Sequence, residues 1–337
     1  MRVLITGAQG FVGRYLAGRW LDADPEVEIT GCGRSAENSR TFLHNVTIGS
    51  SSQAAALPPG LRAAADSTRY TYCRVDVADR KCMTDLLNEF RPAVIVHLAS
   101  GLRDDHTEHL LRTNVAGTEQ LYQAIADSNT RPYVICGSSG SVYGAVAEPC
   151  LPIQERVPPE PFDMYSITKV AQEHVARMLA RRLEVPTIVT RIFNIAGPGQ
   201  DERHFCGHLA SQIVAIERQR CPAVLSVGPL TTTRDFIDVR DVANGLILIA
   251  SVRPDASTCN LASGRETAMQ EIFDRMLALS RIQGEVSIER RPGRKADMPR
   301  NVASMEVMAA WGFRPAYDLS ETLSDVLEYY RSLPDNG

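Results

Sequence analysis

The sequence predicts an α/β fold: a doubly wound parallel sheet followed by a smaller, less regular C-terminal domain. Three observations predict it. Short apolar runs alternate with amphipathic stretches from Arg2 to Ile192. A glycine-rich turn joins the first apolar run to the first amphipathic stretch. Beyond Asn194, proline and glycine interrupt the rhythm more often. Such apolar runs are strands covered on both faces, joined by right-handed helical crossovers.

The elements follow in order. RVLIT (2–6) reads as a buried strand, and the run from Phe11 to Leu21 as a helix. VEITG (27–31) is a second strand. Residues 35–70 are rich in Ser, Ala, Pro and Gly and read as a variable loop with one short helix. YTYCRV (70–75) is a strand and 80–89 a helix; AVIVH (93–97) precedes a long helix near 108–127. YVICG (133–137) is a strand, with SSGSVYG just beyond it. A helix over 165–183 leads into the strand PTIVTRI (186–192). In the second part, helices are expected near 205–218, 239–251, 267–279 and 319–331, with short strands near 223–227 and 286–290. The boundary therefore falls at 193/194, and 234–260 is expected to rejoin the first domain.

Composition limits the function. The 337 residues carry a net charge of -4, which argues against a nucleic-acid binder that works through bulk electrostatics. The charged fraction of 23% and hydrophobic fraction of 44% belong to a globular chain. The eight cysteines are dispersed, with no CxxC pair, which suits a reducing cytoplasm better than a disulfide framework. No apolar run reaches the roughly eighteen residues of a membrane span. MRVLIT enters a strand directly, without the pattern of a signal peptide.

Gly7-Ala8-Gln9-Gly10-Phe11-Val12-Gly13 is a GxxGxxG turn between strand and helix. Gly7 permits the turn, Gly10 lets backbone approach a pyrophosphate, and Gly13 lets the helix pack closely on the strand. This is the start of a Rossmann-type dinucleotide site. The second strand ends Gly31-Cys32-Gly33-Arg34-Ser35, with no acid to hold a ribose 2′-hydroxyl. Arg34 and Ser35 suit a 2′-phosphate, so NADP is expected in preference to NAD. Asp76 is placed to meet the adenine amino group, with Val77 beside the ring; capping of the next helix is the other reading of Asp76.

Tyr165-Ser166-Ile167-Thr168-Lys169 puts a phenol and an ammonium one helical turn apart, on one face. A nearby ammonium favours the phenolate, and such a tyrosine can exchange a proton with an alcohol or ketone. Ser139, at the carboxyl end of a parallel strand, can hold the substrate oxygen; Ser138 is beside it, and Tyr143 either lines or packs against the sugar site. His204 and His208, four apart, lack a convincing third ligand, and no metal is expected. His106 and His109 read as solvent-facing.

With these residues in view, the chain resembles the extended short-chain dehydrogenase/reductase family acting on nucleotide sugars. The strings are TGAQGFVG (6–13), HLAS (97–100), NVAGT (114–118), SSGSVYG (138–144), YSITK (165–169), RIFNIAGPGQ (191–200), RDFIDVRDVA (234–243) and WGFRP (311–315). The resemblance implies catalysis by Ser139, Tyr165 and Lys169, with Asn114 supporting the lysine through a water relay. It implies cofactor contacts at Leu98 and Ala99, and contacts to a sugar diphosphate at Asn194, Arg234 and Arg294. It also implies a homodimer, paired through helices near 108–127 and 163–183.

Dehydratases of the family carry an acidic pair after the catalytic Ser or Thr. Here Gly140 and Ser141 occupy those positions, which removes the acid that 4,6-dehydration needs. Two reactions remain. One is NADPH-dependent reduction of a nucleotide-diphosphate 4-keto-6-deoxy sugar, a GDP-sugar by resemblance to GDP-4-keto-6-deoxy-mannose reductases. The other is 4-epimerisation with a retained NAD(P). A nucleotide-binding protein without catalysis is the alternative of a different class.

Overall fold

A computed structural model of the chain describes residues 1–291 and 298–334. Its first part follows the expected alternation. β1 (Arg2–Thr6) leads through the glycine turn into α1 (Phe11–Ala23) and then β2 (Glu28–Gly33). A hairpin of β3 (Thr41–Ile48) and β4 (Ser51–Ala56) follows, then α2 (Pro59–Ala65), β5 (Tyr70–Arg74), α3 (Arg80–Phe90) and β6 (Val94–His97). α4 (Thr107–Leu110) runs through a π-helical turn, Leu111–Ala116, into α5 (Gly117–Asp127). β7 (Tyr133–Ser139), α6 (Met164–Leu183) and β8 (Thr187–Ile192) complete this stretch.

The later part is shorter in its elements. β9 (Asn194–Ala196), α7 (Phe205–Glu217), β10 (Val224–Val227) and β11 (Thr233–Asp238) precede α8 (Val239–Val252) and β12 (Thr258–Leu261). β13 (Glu266–Ala268), α9 (Met269–Ala278), β14 (Ser287–Arg290), α10 (Glu306–Ala310) and α11 (Leu319–Ser332) end it.

The main sheet has seven strands in the order β12-β8-β7-β6-β1-β2-β5, paired in parallel throughout. Strand succession reverses beside β1, where β6 lies on one side and β2 on the other. In such sheets a crevice opens at that point beyond the carboxyl ends of the strands, and ligands bind in it. β12 adds the last strand from the later part of the chain, and α8 packs on α1. β9, β11 and β13 form a small sheet, and β10 pairs with β14.

Two corrections concern elements. Residues 41–56 are an antiparallel hairpin and not loop. It is held from outside: Phe42 packs against Phe11, Tyr329 Oη donates to Ala56 O at 2.9 Å, and Gln53 Nε2 donates to Pro334 O at 2.9 Å. β7 extends through Ser138 and Ser139, which therefore end the strand and do not follow it.

Candidate active site

The glycine turn is shaped by contact. Gly7 has φ +69°, and a Cβ there would lie 2.8 Å from Ala99 N. A Cβ on Gly13 would lie 2.6 Å from Gly7 O, so α1 can approach β1 only with glycine at this position. Gly10, the N-cap of α1, receives no side-chain cap, and a Cβ on it would meet only Gly7 O. The N-terminus of α1 thus carries no side-chain cap at the switch point, a fit for a pyrophosphate. Leu98 N donates to Thr6 O and Ala99 N to Thr6 Oγ1, both at 3.2 Å, which fixes the neighbouring wall. Phe11 and Val12 pack partly against the core.

The other expected cofactor residues are placed unevenly. Gln9 is buried; its Nε2 donates to Glu37 O at 2.5 Å. Arg34 is exposed and lies against His109, at 3.2 and 3.4 Å from its ring nitrogens. His109 is therefore engaged by Arg34, and its imidazole also lies 3.6 Å from Asp105. Ser35 O accepts from Tyr72 Oη at 3.2 Å. Asp76 pairs with Arg112 at 2.8 Å and accepts from Ala78 N; the cap of α3 is Asp79. Val77 is buried against Gly117, so its side chain belongs to the core.

At the catalytic end, Asp163 caps α6 by accepting from Ser166 N at 2.7 Å, and this starts the helix at Met164. Tyr165 and Lys169 follow one turn apart. Lys169 Nζ donates to Gly137 O on β7 at 2.6 Å. Burial lowers its pKa to about 8, against the opposing pull of Cys136 and Glu173. Burial raises the Tyr165 pKa above the usual 10; Arg103 lowers it, as do hydrogen bonds to Ser139 and Ser100, and Asp163 raises it. The charge over the phenol is thus Arg103, whose guanidinium stands 5.4 Å from the ring centroid and pairs with Asp163 at 2.7 Å. Lys169, expected to be that charge, is tied to β7.

Ser139 Oγ lies 3.0 Å from Ser141 Oγ, and Ser166 Oγ donates to Ser141 at 2.9 Å. Asn114 is fully buried in the π-helical turn. Its Oδ1 accepts from Gly101 N and Ser100 Oγ, and its Nδ2 donates to Thr168 Oγ1. It anchors the helix next to Lys169 without a side-chain bond to the lysine. Tyr143 Oη donates to Asn260 at 2.7 Å, so this ring packs in the core.

Sequence reasoning missed a buried ion-pair network beneath the serines. Glu173 accepts from Arg191 at 2.9 and 2.8 Å, from Arg177 at 2.9 Å and from Ser138 at 2.6 Å. Its position four residues beyond Lys169 was the available signal. Arg103 was missed too; it rims a cavity of about 230 Å³ with Asp104, Arg203 and His204. Of the residues expected at the diphosphate, Arg234 is nearly buried and donates to Met298 O and Thr233 O at 2.7 Å. Asn194 donates to Asp235 O at 3.3 Å, and Arg294 falls outside the described residues.

A family model described as the NAD dependent epimerase/dehydratase family matches residues 3–262. The chain belongs to this family. Among its relatives is GDP-6-deoxy-D-mannose reductase of Pseudomonas aeruginosa, 28% identical over 266 residues, covering 77% of this chain and 86% of the relative. UDP-glucose 4-epimerase of Mycolicibacterium smegmatis is 28% identical over 340 residues and covers 98% and 99%. The solved structure of RMD from Pseudomonas aeruginosa with NADPH superposes with a TM-score of 0.79 at 25% identity, over 98% of this chain and 99% of that one. The family assigns the chain as an NAD(P)-dependent enzyme, and no helix among the described residues is long and apolar enough to cross a membrane.

Proposed function

We propose that the protein is an NADPH-dependent reductase of a nucleotide-diphosphate 4-keto-6-deoxy sugar, with a GDP-sugar favoured. The observation that carries this reading is the end of β2. Arg34 and Ser35 stand there with no carboxylate, which suits a cofactor bearing a 2′-phosphate and exchanged at each turnover. The glycine turn, Leu98 and Ala99 would hold the dinucleotide, and Lys169 the nicotinamide ribose. When bound, the nicotinamide supplies the hydride. Tyr165 gives its proton to the carbonyl oxygen as it becomes an alcohol, and Ser139 orients that oxygen. Arg103 opposes the rise that burial causes in the phenol's pKa. Asn194, Arg234 and Arg294 are assigned to the diphosphate.

The near-complete coverage of the epimerase relative favours a second reading, 4-epimerisation with retained cofactor. One experiment separates them. Oxidation of NADPH on addition of a GDP-4-keto-6-deoxy sugar supports reduction. Interconversion of a stable nucleotide sugar without added cofactor, and no NADPH consumption, replaces it with epimerisation.

The same reading includes a homodimer. Met164, Ile167 and Met178 are exposed along one side of α6, and Leu111 is exposed on the neighbouring π-helical turn. An apolar stripe on two adjacent helices suits a two-fold four-helix contact. Light scattering at micromolar concentration tests it: a dimer is expected, and a monomer refutes it.

A further inference from the structure

Arg14 is the residue after the third glycine of the turn. The residue is 4% exposed. Nη1 donates to Asn38 Oδ1 at 2.8 Å; Nη2 donates to Gln9 Oε1 at 3.0 Å and to Ser39 O at 2.5 Å. Nε is buried with no partner. All three acceptors are neutral. Two other arginines set into the fold differ: Arg191 meets Glu173, and Arg240 meets Asp238 and Asp325. A buried guanidinium stays charged, and without a counter-ion it is poorly compensated. Tyr70, packed nearby, also has a buried hydroxyl without a partner.

The location of this cation gives it meaning. Gln9 lies inside the glycine turn. Asn38 and Ser39 lie on the segment that leaves β2 through Arg34 and Ser35. Arg14 therefore joins the two backbone segments between which the adenosine ribose of a dinucleotide is held in this fold class. Arg34 is exposed, and its guanidinium rests on His109 at the surface. Arg14 is fixed in place by its own hydrogen bonds, so it can act on an anion with little loss of side-chain freedom.

We propose that Arg14 is a second determinant of the cofactor's adenosine 2′-phosphate, a buried, preorganised cation that acts together with Arg34. This rests on the NADP reading above. The 2′-phosphate supplies the negative charge that the neutral acceptors around Arg14 lack.

Calorimetric titration of the full chain with 2′,5′-ADP and with 5′-ADP tests it. The wild type is expected to prefer 2′,5′-ADP. Arg14→Gln should cut that preference about tenfold, the effect of losing one charge-assisted contact, while 5′-ADP affinity stays within about twofold. Arg14→Lys should retain part of the preference. Asn38→Asp gives the guanidinium a carboxylate in place and should lower 2′,5′-ADP affinity selectively, which keeps the test decisive if Arg14→Gln does not fold. Equal losses for both ligands would show that Arg14 only pins the loop and would overturn the proposal. So would an unchanged preference in Arg14→Gln and Asn38→Asp. A wild type indifferent to the 2′-phosphate overturns the NADP reading and this proposal together, an outcome distinct from the other two.

Discussion

Glu173→Gln removes the one carboxylate to which two arginines and Ser138 are tied. Arg191 is 3% exposed, and the neutral amide leaves its guanidinium buried without a charge partner. Breaking a buried pair from one side costs about 3–5 kcal/mol. For a chain of this length that corresponds to a fall in Tm of roughly 4–7 °C. The pH dependence has a defined sign. Burial alone pushes the Glu173 carboxyl up, but Arg191, Ser138 and Arg177 outweigh it, and the pKa lies below the usual 4.5. A depressed carboxylate contributes stability that is present above pH 4.5 and lost as pH falls through the folded pKa. The gap between wild type and variant is therefore full at pH 7 and closes in acid. Differential scanning calorimetry at pH 7 and pH 4 measures it. A Tm change below 1 °C at pH 7, or a gap that widens in acid, would refute the assignment of stability to this network.

Tyr165→Phe should lower turnover by a factor on the order of 10²–10⁴, the usual worth of a positioned proton donor, with dinucleotide affinity by fluorescence nearly unchanged; retention of most activity would eliminate the proposed mechanism. Arg34→Ala should weaken NADP roughly ten- to a hundredfold and NAD much less, read by competitive titration, and equal losses would count against a 2′-phosphate contact. Burial holds Glu202 up at about 7, with Asp201 adding to the effect and the Thr47 amide opposing it. The folded state then binds more protons than the unfolded between pH 4.5 and 7, so stability falls as pH rises through that window. Glu202→Gln should abolish this fall and gain about 1 kcal/mol at pH 8, after allowance for partial exposure; thermal scans across pH 4–8 that show parallel curves would reject it.

The parallel sheet was legible because its strands are short, continuous apolar runs, as in VLIT and VIVH, and its helices have a clear period. The hairpin at 41–56 was not. SSQAAA has weak strand propensity, and β3 and β4 shift register between Thr41 and Asn45. What fixes the hairpin comes from distant sequence: Phe11, Glu202, Tyr329 and Pro334. The same contrast holds at the site. Tyr165 and Lys169 announce themselves by spacing on one helix. Arg103 reaches the phenol from a loop after β6, and Arg191 reaches Glu173 from β8, so both become visible only when the chain is folded. Asp76 and Val77 gain partners in the same way: position at a strand end suggested a ligand contact, and the fold adds the pairing of Arg112 with Asp76 and the packing of Val77 on Gly117.

The late arrival of β12 has a consequence for synthesis. β8 ends at Ile192, yet the strand that covers its outer edge begins at Thr258. At the roughly 5–20 residues per second of translation, β8 waits several seconds with its hydrogen-bonding edge open. An apolar strand in that condition is a template for pairing with another chain. The helix that shields α1, α8, emerges in the same interval, just ahead of β12. A ribosome stalled between these two points would hold out an unfinished sheet, and a gene cut at residue 193 would make that unfinished state permanent.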